Sequence, residues 1–134
     1  MDRAVICPAN CRRPHRNLLT VAPTLADRLK HVLTAIETIQ NALATKQFED
    51  LKGDLMLRLA IERSFEIICE ASRRIPDDVK AQEPTIAWRG MIDFGNELRH
   101  AYHRIDPALL WEVAQRDLPP LKAFVERVIR KSEK

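Results

Sequence analysis

The run DFGNELRHAYHRID, residues 93–106, gathers an amide, two arginines, two histidines and the chain's single tyrosine at the end of a segment patterned as a helix. On an ideal wheel at about 100° per residue, Arg89, Asp93, Asn96 and His100 share a narrow polar stripe, and Met91, Phe94 and Leu98 occupy the opposite face. One face therefore belongs to a core and the other to chemistry or solvent. This amphipathic helix begins at Thr85 or just after it, and the elements on either side of it share its period.

Upstream, Leu25, Leu29, Val32, Leu33, Ile36, Ile39 and Leu43 recur at spacings of three and four, with Thr24 placed as the cap, which predicts a first helix over 24–44. A break over 45–53 leads to Asp54 as the next cap. Leu55, Leu59, Ile61, Phe65, Ile68 and Cys69 then mark a second long helix that runs to about Ile75 and stops at Pro76. Residues 77–85 are polar and read as a short helical turn and loop. Downstream, Asp106 caps a fourth helix whose first turn holds Pro107, and Pro119 and Pro120 end it. A last helix over about 120–130 carries Leu121, Phe124, Val125, Val128 and Ile129. With no strand-like alternation and short links, the expected fold is all-α, an up-and-down bundle of four to five helices.

Composition agrees. A chain of 134 residues, 46% hydrophobic and 31% charged with three glycines, suits one helical domain. Residues 1–22, with Pro8, Pro14, Arg3, Arg12, Arg13 and Arg16, read as a flexible basic arm, and residues 23–134 as the domain. Cys7, Cys11 and His15 have ligand-like spacing but no fourth partner nearby, so no zinc site is assigned to them. Three cysteines without a disulfide framework, and no run near the roughly 18 apolar residues of a membrane span, point to a soluble cytoplasmic protein without membrane contact. The formal charge of +3 is too small for a protein that coats nucleic acid, so any RNA contact is local.

The residue types at 96–104 suit metal-free cleavage of RNA. An imidazole can exchange a proton near neutral pH, and a guanidinium can hold phosphate oxygens in bidentate fashion. In such a reaction a base takes the ribose 2′-OH proton, the oxygen attacks the adjacent phosphate, and cations with amide donors stabilise the developing charge. His100 would be the acid or base, Arg99 the phosphate clamp and Asn96 the orienting donor, with Arg89, His103 and Arg104 as further phosphate contacts. A solvated, positively charged helix end that complements the helix dipole accounts for the same residues without catalysis. His100 and His103, with Asp93 or Asp106, also have the spacing of metal ligands, but the surrounding arginines disfavour a cation, and no cofactor is expected.

The run IAWRGMIDFGNELRHAYHRIDPALLWEVAQRDLPPL, residues 86–121, resembles the C-terminal half of HepT-like proteins of the HEPN superfamily. Their signature is an arginine, usually followed by Asn, and after four to six residues His-x-Tyr. Asn96, His100 and Tyr102 fall on it, and Trp88 and Trp111 fall where the family usually has tryptophan. Residues 55–75 are similar to the family's second long helix, with Cys69, Glu70 and Ala71 where a triplet such as Gly-Glu-Ala stands. The resemblance covers about residues 24–129. It implies a homodimer with both motifs facing one cleft, and a toxin-type endoribonuclease. It also implies an MntA-like nucleotidyltransferase as antitoxin, which transfers AMP to the tyrosine of the signature, here Tyr102. The pattern departs at Gly95, which stands where the signature arginine belongs. Arg99 is the expected substitute, or Arg89 reaching His100 of a second copy across a two-fold axis. A non-catalytic HEPN dimer that binds nucleic acid, nucleotide or a partner protein is the alternative function.

Overall fold

The computed structural model describes residues 22–100 and 105–133. Tyr102, His103 and Arg104 lie outside the described residues, as do Cys7, Cys11, His15 and nearly all of the N-terminal arm. Among the described residues there are seven helices and no strand: α1 (Leu25–Leu43), α2 (Phe48–Gly53), α3 (Leu55–Arg73), α4 (Asp77–Lys80), α5 (Trp88–His100), α6 (Pro107–Arg116) and α7 (Leu118–Ser132). The five longer ones are the bundle helices the sequence predicts.

The caps act as their chemistry requires. Thr24 and Asp27 form a reciprocal capping box, the Thr24 hydroxyl accepting from the Asp27 amide at 3.1 Å and the Asp27 carboxylate from the Thr24 amide at 3.0 Å. Those hydrogen bonds hold the Asp27 carboxyl below its ordinary range. Asp54 accepts from the Leu57 amide at 3.1 Å to start α3, and Asp106 from the Ala108 amide at 2.9 Å to start α6.

Two expectations need correction. The segment read as a break contains α2, whose Gln47 and Asp50 cap it and whose Leu51 is fully buried. A six-residue helix is too short to display a period, which is why the pattern missed it. Pro119 and Pro120 do not end the fourth helix. It stops at Arg116, and both prolines sit in the first turn of α7, where their missing N–H groups have no intrahelical acceptor to lose.

α3 is the centre of the bundle. It packs most extensively on α1, next on α5, and also touches α2 and α6, while α7 closes the other side of α1. The core runs through Leu29, Val32, Ile36, Ile61, Phe65, Ile68, Leu121, Phe124 and Val125, all essentially without solvent access. Phe94 reaches it edge-on against Phe65, with ring centroids 5.4 Å apart.

Trp88 fixes where α5 begins. Its ring packs edge-on against Phe124 at 5.4 Å, and its indole N–H donates to the carbonyls of Lys80 and Glu83 at 3.1 and 3.2 Å. Glu83 also pairs with Arg127 of α7 at 2.8 Å, and its hydrogen bonds from Thr85 and Arg127 lower its pKa. One side chain thus ties the connecting loop to the helix that carries the polar stripe. Trp88→Phe keeps the ring and removes the donor, and is expected to lower stability by about 1 kcal/mol, measured by chemical denaturation. A loss near zero would show that the carbonyls do not depend on the indole.

Candidate active site

Helix α5 leans so closely on α3 that one position has no room for a side chain. A Cβ built on Gly95 would lie 2.6 Å from the Cβ of Cys69, a separation that real side chains do not reach. Gly95 is buried, and Cys69, 4% exposed, fills the space opposite it. Burial pushes the Cys69 thiol up to about 12, so at neutral pH it is a protonated packing group and not a nucleophile. The absence of the signature arginine is therefore structural as well as chemical. A side chain at 95 would start against α3, and while Cys69 keeps its Cβ the helices must move apart to admit one.

This contact sets the rotation of α5 and so the placement of the polar residues. Leu98 is buried and Arg89, Asp93, Asn96 and His100 are exposed, as the wheel predicts for the stripe, and Arg99, off the stripe, is exposed as well. Arg99 Nη2 donates to Asn96 Oδ1, and Arg99 Nη1 lies 3.3 Å from Glu70 Oε2 on α3. Because the amide oxygen of Asn96 faces the guanidinium, its NH2 group points elsewhere and stays available as a donor. Arg99 and Asn96, two of the three residues expected to act together, are joined. His100 is at the same end of α5 with no hydrogen bond or ion pair among the described residues. Arg89 is 88% exposed and lies 3.8 Å from Asp93, a solvent pair of little energetic weight.

Sequence reasoning missed the role of Glu70. Its carboxylate lies within 3.6 Å of Arg73, 3.4 Å of Arg74 and 3.3 Å of Arg99. One negative charge faces three guanidiniums, which leaves the neighbourhood positive. The i, i+3 and i, i+4 spacing of Glu70, Arg73 and Arg74 was the available signal; the reach of Arg99 from another helix was not. Among the described residues, clefts lie on both sides of α5. One, of about 560 Å³, is lined by Glu70, Arg99 and other arginines of α1 and α3. The other, of about 660 Å³, is lined by Met91, Phe94, Leu109 and Val113, with Asp93, Glu97 and Asp117 among its polar residues. No three of His, Cys, Asp and Glu gather as a metal site among the described residues, and no helix there is long and apolar enough to cross a membrane.

An all-α bundle with Asn96 and His100 one turn apart on an exposed face agrees with the fold that the resemblance to HEPN proteins implies. Residues 32–128 match the model of the family described as Ribonuclease HepT-like, and the chain belongs to that family. It is 38% identical over 102 residues to the protein of Thermococcus cleftensis named "Probable ribonuclease HepT", covering 76% of this chain and 93% of that one. It is also 38% identical over 81 residues to "Putative RNase MJ1380" of Methanocaldococcus jannaschii, covering 60% of this chain and 74% of the other. A protein of Caldanaerobacter subterraneus, "Putative RNase TTE0752", is 27% identical over 105 residues, 78% of this chain and 94% of the relative. No solved structure matches significantly.

Two outcomes test the Gly95–Cys69 contact. Gly95→Arg alone should lose about 1–3 kcal/mol or more through overpacking. Cys69→Gly combined with Gly95→Arg should be more stable than Gly95→Arg, since Cys69→Gly removes the obstructing atom. Denaturant midpoints of the four species give the coupling, and simple additivity would show that the residues do not compete for space. The thiol supplies a second test. A folded-state pKa raised by burial means that the unfolded chain loses its proton first. The stability contributed by the neutral thiol is then complete below the ordinary thiol range and lost as pH rises toward 12. Cys69→Ala should flatten that alkaline decline, and an unchanged pH–stability curve would contradict the assignment.

Proposed function

We propose that this protein is a metal-independent endoribonuclease and the toxin of a toxin–antitoxin pair. The observation that carries the reading is the joined Arg99–Asn96 pair beside His100 on the exposed end of α5, in a chain of the Ribonuclease HepT-like family. His100 takes the proton of a ribose 2′-OH. The 2′ oxygen bonds to the adjacent phosphorus, the bond from phosphorus to the 5′ oxygen breaks, and that oxygen takes a proton from solvent water, whose hydroxide is neutralised by the proton His100 accepted. The products are a 2′,3′-cyclic phosphate and a 5′-OH. Arg99 neutralises the non-bridging oxygens as charge builds on them, and the outward NH2 of Asn96 donates to the same group. Arg89, His103 and Arg104 add phosphate contacts around the strand.

The active form in this reading is a homodimer. Leu55, Met56 and Leu59 at the start of α3 are exposed apolar residues of the kind that self-association covers, and they support it. The antitoxin is an MntA-like nucleotidyltransferase that transfers AMP to Tyr102. The added phosphate beside His100 and Arg99 then repels the substrate phosphate. A reading as a non-catalytic dimer that binds RNA, nucleotide or a protein partner is favoured by one specific observation, the closure of position 95 by Cys69, which bars the signature arginine.

Incubation of the purified protein with mixed RNAs in EDTA separates the two. The parent should generate cyclic-phosphate ends, His100→Ala should lose roughly 10²–10⁴-fold in rate and Arg99→Ala about 10²–10³-fold. Cleavage that survives His100→Ala would refute its role, and an inactive parent would leave the binding module.

A further inference from the structure

The cleft on the α1 side of α5 carries far more positive charge than the stripe reading required. Among the described residues five arginines line it, Arg28 of α1, Arg63, Arg73 and Arg74 along and just after α3, and Arg99 of α5, together with the exposed imidazole of His31. Against them stand two carboxylates, Glu66 and Glu70. Five less two leaves three positive charges among the described residues of this one cleft. The α3 contribution is a stripe, since Arg63, Glu66, Ile67, Glu70, Ala71 and Arg74 follow one another at spacings of three, one, three, one and three. From Arg63 to Arg74 is eleven residues, about 16 Å along the axis. Arg99 meets this row at Glu70.

We infer that this cleft is the track for the phosphate backbone of a single RNA strand, leading it past Arg99 to His100. The inference rests on the endoribonuclease reading for what happens to that strand, but not for its binding. Glu66, 3.6 Å from Arg63, and Glu70, 3.3 Å from Arg99, lie among the guanidiniums and leave most of their five N–H donors free. The cleft, of about 560 Å³, lies within the range of sites that hold small ligands, so it has room for a nucleotide unit of a strand. Among the described residues the lining contains no Phe, Trp or Tyr, so what these residues offer a strand is phosphate contact rather than base stacking. The cleft on the other side of α5 has Asp93, Glu97 and Asp117 in its lining, which disfavours phosphate there.

The test measures binding in a protein that cannot cut. A short, unstructured, fluorescein-labelled RNA is titrated with the His100→Ala protein in EDTA by anisotropy, at salt from about 50 to 200 mM. Arg28→Ala, Arg63→Ala and Arg74→Ala, each made in that background, should weaken binding and each flatten the slope of log affinity against log salt by about 0.7, the value for one lost single-strand phosphate contact. Arg63 and Arg74 are 70% and 58% exposed, so their removal leaves the fold intact. Arg116→Ala, on the far cleft, should leave the slope unchanged. Unchanged slopes in all three variants would overturn the track, even if His100-intact protein cleaves RNA. Displacement of the RNA by polyglutamate at equal charge would also overturn it, in favour of an acidic protein partner. Flattened slopes without any cleavage by the parent would support the track and remove the nuclease reading.

Discussion

The closeness of α5 to α3 at Gly95 and Cys69 is the constraint on which the rest of the site depends. Two helices can approach this nearly only where one of them lacks a Cβ, and the neighbour's side chain then occupies the vacated space. Once that contact is made, turning α5 would bring a residue with a Cβ against Cys69 in place of Gly95. Leu98 must face the core, Asn96 and His100 must face solvent, and Arg99 is left at the margin where it meets Glu70. The same contact that builds the polar face denies it an arginine at position 95.

Glu70 matters through position more than through energy. Its three guanidinium neighbours are largely solvated, and exposed pairs of this type contribute about 0–1 kcal/mol each. Their effect is to align charges from two helices. A guanidinium held by one carboxylate oxygen and one amide oxygen keeps a defined plane, and a defined plane is what phosphate recognition needs. Charge in this molecule is therefore arranged unevenly around α5, with a basic cleft on one side and an apolar cleft bearing acidic residues on the other. A near-neutral total conceals a local excess.

Much of the fold could be read because long amphipathic helices announce themselves. Thr24, Asp54 and Asp106 cap where their side chains predicted, and most of the apolar positions that mark α1, α3 and α7 are buried, but Leu55 and Leu59 in the first turns of α3 are exposed, because no described element packs over that end of the helix face. The failures were short-range. α2 has too few turns to show a period, and Pro119 with Pro120 reads as a stop when viewed from the preceding helix but as a start when viewed from the next. At the site, the exposure of Arg89, Asp93, Asn96 and His100 followed from the wheel, while Glu70 and Arg28 did not, because they lie on other helices.

The sequence by itself determined the class of fold, the amphipathic face of α5 and the family, since periodicity, caps and motif spacing are properties of neighbours along the chain. Only the tertiary structure decided why Gly95 is a glycine, what holds Arg99, and that arginines from α1, α3 and α5 share one cleft. Each of these depends on the distance between helices that are remote in sequence, and that distance is set by packing, which no local pattern encodes.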